Sequence, residues 1–400
     1  MPRRVTLLIL ATTIAVSAGA QKAPKRPKLP VTADTNDASA YVEYGRMALT
    51  RAPEDAAASF YWAMRIDPAL ADAYYGRRTA LLVGQPRRLV QYNRGTRNVV
   101  QSAEMQALDS LMSQALMLNP TLPMRFDRIL TLTALKEIIE SAGGPRLSID
   151  EESQLEYIFD QYVRSSADGA ELRARMAQSD GQYESAINHY ASAIKFAQRK
   201  AELRAARGRL FLQLGKADSA LAELNLALDE LRKRDKKDFV VFYNSKAMLE
   251  TTIGIAEHQL GHDDAAREAF GRALQEDLAY YPAHVRLAYV SLDRKDTTTA
   301  LGEMELAVQL RPDNGLLRDQ YGFVLHSVGR SAEAVEQFKK AVELEPAYAL
   351  PQRHLGAAYE MTGNPQGAAE AYRTFLRIAP RGDLQRAEIQ KRLGALGGDR

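Results

Sequence analysis

From residue 167 to residue 380 the chain repeats one pattern of small, large and polar positions every 34 residues. Ala186 and Ala220 stand 34 apart, and Ala266, Ala300, Ala334 and Ala368 follow one another at the same interval. Four residues beyond each comes a large side chain: Tyr190, Leu224, Phe270, Met304, Phe338 and Tyr372. Three further on the chain returns to alanine at Ala193, Ala227, Ala273, Ala307 and Ala341, and Phe375 breaks the pattern in the last unit. Spacings of four and three share one face of an α-helix. Each unit therefore predicts a helix whose small residues admit a close neighbour while the large one fills the groove between them. A first helix ends upstream near Gly181, Gly215, Gly261, Gly329 or Gly363, because glycine takes the left-handed conformation that stops a helix. Lys295 holds that place in one unit. Pro312, Pro346 and Pro380 close second helices, since proline cannot continue the hydrogen-bond ladder. The step from Ala220 to Ala266 is 46 residues, and the charged stretch at 231–242 supplies the extra 12 as a lengthened helix.

The N-terminal half repeats less faithfully. Tyr44, Gly45, Ala56, Phe60, Ala63 and Pro68 outline a seventh unit over residues 39–70. Pro68 and Pro120 are 52 apart, 18 more than one repeat, which predicts an eighth unit with helices at 74–83 and 103–118 and a loop swollen at 84–102. Residues 124–140 and 151–166 predict a divergent helix pair around the breaker at 142–145, a candidate hinge. After Pro380, residues 383–393 form an amphipathic helix with Arg386, Lys391 and Arg392 on its polar side, suited to capping the last unit. The expected organisation is a helical block at 39–122 carrying a basic insertion at 84–102, a divergent pair at 123–166, six regular units at 167–380, and a capping helix and tail at 381–400.

The pattern resembles the tetratricopeptide repeat, with Gly208, Gly254, Gly322 and Gly356 at the small position of the first helix and Ala174 and Ala288 replacing it in two units. The resemblance implies an all-α fold, an α-solenoid of antiparallel helix pairs, whose first helices line a concave groove that receives a peptide or helix from a protein partner. Groove positions carried onto this chain fall at Arg175, Arg209, Ile255, Tyr289, Phe323 and Ala357, and three residues later at Gln178, Leu212, His258, Leu292, His326 and Glu360. The partner-binding candidates are Arg175, Arg209, His258, Tyr289, Phe323 and His326: arginines suited to carboxylates at one end, rings suited to an apolar anchor in the middle. The family's chaperone-type clamp grips a terminal carboxylate with Lys and Asn. The corresponding positions here hold Glu171, Arg175, Ala205 and Arg209, so that mode is not expected. Because each repeat contacts its neighbours alone, the array is expected not to close on itself.

Composition narrows the setting. Hydrophobic residues at 46% and charged residues at 26% are ordinary for a folded, soluble body. Cysteine is absent, which excludes disulfides, thiolate nucleophiles, Cys-ligated zinc, iron–sulfur clusters and a lipoprotein anchor. Arg3 and Arg4, the apolar run 5–16 and Ala18-Gly19-Ala20 read as an export signal cleaved after Ala20. The run falls short of the roughly 20 residues of a spanning helix, so membrane contact is expected through an uncleaved signal alone. The product would be periplasmic or secreted. Losing two arginines and no acid takes the formal charge from +3 to +1, which offers no general attraction for nucleic acid. Residues 21–38 are rich in Pro and Lys and read as an extended, solvated linker.

Candidate chemistry adds little. Arg87, Arg88, Arg94 and Arg97 surround Tyr92, which could stack on a base, but an exported protein rarely meets nucleic acid, and a solvated surface or acidic-partner contact is expected instead. His258 and His262 have the spacing of a metalloprotease helix, yet Gln259 cannot serve as its base and Gly261 should end the helix before His262. Gly143-Gly144-Pro145 lacks the Lys and Ser or Thr of a phosphate loop. The histidines scatter over different units, and no acid, base and nucleophile recur at a motif spacing. No catalytic, cofactor or metal residue is nominated, and no small-molecule substrate is expected. The expected function is a non-enzymatic exported scaffold or adaptor for protein partners, with envelope assembly or secretion as its setting. Two alternatives are a self-associating structural protein whose groove accepts a neighbour's residues 21–38, and an enzyme with a site within 71–166.

Overall fold

The structure is a computed structural model that describes residues 23–85, 103–141, 143, 167–198, 200–234 and 245–397; every helix or strand assigned among them is an α-helix. The N-terminal block contains α1 (Ala38–Ala48), α2 (Pro53–Ile66), α3 (Ala71–Val83), α4 (Ala103–Leu118) and α5 (Asp127–Ser141). Antiparallel pairs follow: α6 (Ala167–Ser179) with α7 (Tyr183–Phe196), α8 (Lys200–Gln213) with α9 (Ala217–Arg234), and α10 (Lys246–Gln259) with α11 (Asp263–Glu276). Next come α12 (Tyr281–Asp293) with α13 (Thr297–Leu310), α14 (Gly315–Ser327) with α15 (Ser331–Leu344), α16 (Leu350–Met361) with α17 (Pro365–Ile378), and then α18 (Arg386–Ala395). The export segment 1–20, most of the basic insertion (86–102), the second helix of the divergent pair (151–166) and residues 235–242 of the charged stretch lie outside the described residues.

The small-to-large code sets the pair spacing. A methyl group on Gly254 would stand 2.4 Å from the Phe270 ring, so α10 and α11 meet at a distance glycine alone permits. Where alanine replaces that glycine, the facing residue is Tyr190 beside Ala174 or Met304 beside Ala288. The unbranched thioether of Met304 can bend around the extra methyl. Pairs reverse at left-handed residues: Gly261 has φ +77°, and Lys295 adopts φ +62° at the corresponding position. Side-chain caps start several helices, with Ser245, Asp296, Asn314 and Asn364 accepting from Met248, Thr299, Leu317 and Gly367 amides.

The irregular step has its own fastening. α9 spans 18 residues against 14 in α7 and α8, so part of the charged stretch is helix. The extra turn carries Arg232 to Glu250, which is 0% exposed and held at 2.7 Å by Arg232 and at 3.0 Å by Arg272. One buried carboxylate thus ties α9, α10 and α11 together. At the other end α18 starts at Arg386 rather than at 383, because Asp383 accepts from the Gln385 amide at 2.7 Å in a turn first. Arg386 caps α17 by donating to Leu376 O and Ala379 O.

Two expectations are overturned. The array closes on itself. Arg65, at the end of α2, reaches Glu345 at 2.8 Å and Leu344 O at 3.1 Å, some 280 residues away. Gln114 of α4 exchanges hydrogen bonds with the Tyr281 hydroxyl. One apolar cluster joins Phe60, Tyr75 and Leu116 of the first two units to Met248, Ala273, Tyr280 and Ala283 of α10 to α12. Nearest-neighbour stacking fixes a small rotation per unit, and its sum curves the solenoid until the first units meet the corners between the later ones. The supposed linker is also docked. Trp62 donates to Pro24 O at 3.0 Å, Arg26 lies over the Tyr41 and Trp62 rings and donates to Tyr41 Oη at 2.8 Å, and Leu29 packs beside Trp62. Asn36 then reaches Arg377 O at 3.0 Å, and Asp34 accepts from the Arg381 amide. A guanidinium on aromatic faces and prolines already restricted in φ make this extended segment inexpensive to order.

Candidate functional site

The six nominated residues fall into two groups and one outlier. In the first group, Arg175 on α6 and Arg209 on α8 flank the Tyr190 phenol, with Asp127 of α5 close enough to act on both Tyr190 and Arg175. Arg175 is half exposed at 47%; the desolvation it does suffer works against its charge, but Glu171, at 2.5 Å, and Asp127 more than offset it and raise its pKa. Arg209 is pulled down to about 10 by burial. Gln178 and Leu212, three residues farther along these helices, are buried: Gln178 accepts from Tyr190 Oη at 3.3 Å and Leu212 packs in the core, so neither lines a groove.

The second group is built on α12, α14 and α16. Tyr289 is partly buried, and burial followed by the charge of Asp319 pushes its phenol up to about 12. Phe323 stays 41% exposed, its ring 5.9 Å from that of His354. His326 Nδ1 lies 3.0 Å from Ser331 Oγ, and burial and then the nearby His354 lower its pKa. His258 belongs to neither group. It sits exposed at the end of α10, 2.8 Å from Asp263, while His262 pairs with Glu257 at 2.9 Å, so the two histidines turn to different carboxylates.

Four further residues complete the second group. Asp319, 2% exposed, holds His354 Nδ1 at 2.8 Å, and that imidazole is wedged between Phe323 and Phe338. Arg286 lies one turn before Tyr289, and its pKa is lowered by burial with tyrosines 289 and 280 as its electrostatic neighbours. Tyr348 is buried at the corner before α16 and stands within electrostatic reach of Asp319, Asp67 and Tyr289. The spacing carried a signal for three of these: Arg286 precedes Tyr289 by three and Asp319 precedes Phe323 by four, intervals that share a helix face. His354 precedes the groove position Ala357 by three, the same interval as Arg286 before Tyr289, and so shared that signal, whereas Tyr348 lies in an inter-unit corner outside the groove register. Chemically the group offers hydrogen-bond donors and rings around one occupied carboxylate. Among the described residues no cluster of three or more His, Cys, Asp or Glu could hold a metal ion, and no helix is long and apolar enough to cross a membrane.

Comparison with known proteins matches this architecture. A family model described as tetratricopeptide repeat matches residues 251–315 and 327–383. The Hsp70-Hsp90 organizing protein of Triticum aestivum is 35% identical over 81 residues, 20% of this chain and 14% of that relative, so the match spans a small part of the relative's length. Among solved structures, YrrB, described as a TPR protein with an unusual peptide-binding site, is 22% identical, with 51% of this chain and 98% of that one covered at a TM-score of 0.39. MamA from Desulfovibrio magneticus RS-1 is 22% identical, with 46% and 96% covered and a TM-score of 0.37. The C-terminal part of a TPR repeat-containing protein from Cytophaga hutchinsonii is 14% identical, with 56% and 93% covered and a TM-score of 0.43.

Proposed function

Given that the chain is a tetratricopeptide-repeat protein, we propose that it works as an exported scaffold that holds a protein partner by a peptide segment along its first-helix face, in envelope assembly or secretion. The observation that carries this reading is the second group, where the Phe323 ring stays 41% exposed on α14 while Tyr289, at the matching position of α12, is only partly buried. An exposed aromatic next to unspent donors is the composition of an interaction hot spot. Export rests on the sequence of residues 1–20 and is tested by the mature amino terminus: mass spectrometry should find Gln21 first, and an intact Met1 in the cell envelope would count against cleavage.

The groove reading is tested by Tyr289→Ala combined with Phe323→Ala. Partner capture from an envelope extract by crosslinking should fall at least about tenfold, since two aromatic hot-spot losses exceed 1.4 kcal/mol. The melting curve should scarcely move. A large loss of helicity would instead make both rings structural and sink the proposal.

A further inference from the structure

The segment that leads into the first unit has a regular sequence of its own. Proline recurs at Pro24, Pro27 and Pro30, and three residues make one turn of a polyproline II helix. That period brings Arg26 and Leu29 to one side of the segment and Lys25 and Lys28 to another. The contacts follow this division. Arg26 lies on the Tyr41 and Trp62 rings and Leu29 packs in their cluster, whereas both lysines are exposed.

The face formed by α1 and α2 is suited to an arginine in particular. The guanidinium carbon of Arg26 stands 5.3 Å from the centre of the Tyr41 ring and 5.1 Å from that of Trp62. At the same time Nε donates to Tyr41 Oη at 2.8 Å and Nη2 donates to Thr35 O. A planar cation with donors fixed in a fork meets these demands together, and an ammonium on a flexible stem does not. The indole also addresses the backbone. Trp62 Nε1 donates to Pro24 O at 3.0 Å, a carbonyl that polyproline II leaves without an internal partner. An aromatic surface that takes an extended, proline-rich chain in this way is a peptide-recognition surface.

Arg26 also connects this docking to the far end of the array. Thr35 lies between two turns, one closed by the Ala33 amide on Pro30 O and one by the Asp37 amide on Asp34 O. From the same stretch Asp34 accepts from the Arg381 amide and Asn36 donates to Arg377 O at 3.0 Å, at the end of α17 and just beyond it. Ala347, in the corner before α16, packs against the cluster that also holds Leu29. One guanidinium thus touches both the rings of the first unit and the turns that reach the last.

We infer that the Tyr41–Trp62 face is a recognition site for a proline-flanked arginine, filled by the chain's own residues 24–29, which act as a strap latching the first unit to the last. Tyr289 and Phe323 take no part in it, so the strap and the groove stand or fall separately.

Trp62 is the sole tryptophan of the chain, so its emission reports the docked strap. In the full chain, Arg26→Ala should move that emission to longer wavelength as the indole loses its cover, with helicity unchanged. A synthetic peptide of residues 21–31 should reverse the shift. It should bind this variant at least about tenfold more tightly than the wild type, whose site is already filled by a tethered competitor. The same peptide carrying Arg26→Lys should bind several-fold more weakly. Hydrogen exchange at the Arg381 amide should speed at least about tenfold in Arg26→Ala, as Asp34 is no longer held against it. Trp62 emission unchanged by Arg26→Ala overturns the recognition site. So does absence of peptide binding to the variant, equal binding to variant and wild type, or equal binding of the arginine and lysine peptides. Unchanged exchange at Arg381 overturns the latch.

Discussion

A single residue can tell whether the repeat code reports backbone geometry or mere composition. Lys295 carries φ +62° where five sibling units place glycine at φ between +71° and +84°. A side chain there suffers the Cβ clash that disfavours left-handed backbone, and glycine does not. Lys295→Gly is expected to raise stability by roughly 0.5–1 kcal/mol, the strain relieved being partly cancelled by the freer unfolded chain. Urea denaturation checks this. A loss of stability would mean that the lysine side chain contributes contacts exceeding the strain.

At the scale of the element, helix separation follows from one glycine and the ring opposite. Gly254→Ala forces the Phe270 ring, 2.4 Å from the new methyl, out of its place and should cost about 1–3 kcal/mol through overpacking. The molecule supplies its own remedy. Ala288 faces Met304 in the next unit, so Gly254→Ala combined with Phe270→Met should recover most of the loss. Additive destabilisation in the double variant would refute the idea that small and large positions compensate as a pair. Much of this level was legible in advance, because spacings of three, four and 34 encode helix faces and their repetition. The groove positions were less legible. Gln178 and Leu212 share the register of His258 and His326, yet burial takes the first two into the core, and periodicity does not distinguish a groove from the start of the core.

For the whole molecule, closure concentrates ionisable groups at the seam. Burial raises the Glu345 carboxyl to about 6, and Arg65 only partly counters it. The folded state therefore holds a proton on Glu345 more tightly than the unfolded chain, where the ordinary value is 4.5. That contribution is fully present below pH 4.5 and is lost as pH rises through about 6, amounting to on the order of 1–2 kcal/mol. Glu345→Gln removes it. The melting temperature of the wild type relative to Glu345→Gln should fall as pH rises across that window, and parallel pH profiles would show that Glu345 is not desolvated by the seam.

The sequence by itself determined the helices, their pairing and their reversals, because these depend on neighbours within one 34-residue unit: Phe270 over Gly254, Gly261 at the turn, alanines where helices touch. Its resemblance to the tetratricopeptide repeat also nominated Tyr289 and Phe323. Tertiary structure alone decided that the solenoid closes, that Pro24 and Arg26 dock on Trp62 and Tyr41, and that Arg65 of α2 meets Glu345. Those contacts join residues as far as 347 positions apart. They arise from the accumulated rotation of many units, a sum to which each local pattern contributes a little and which none of them displays.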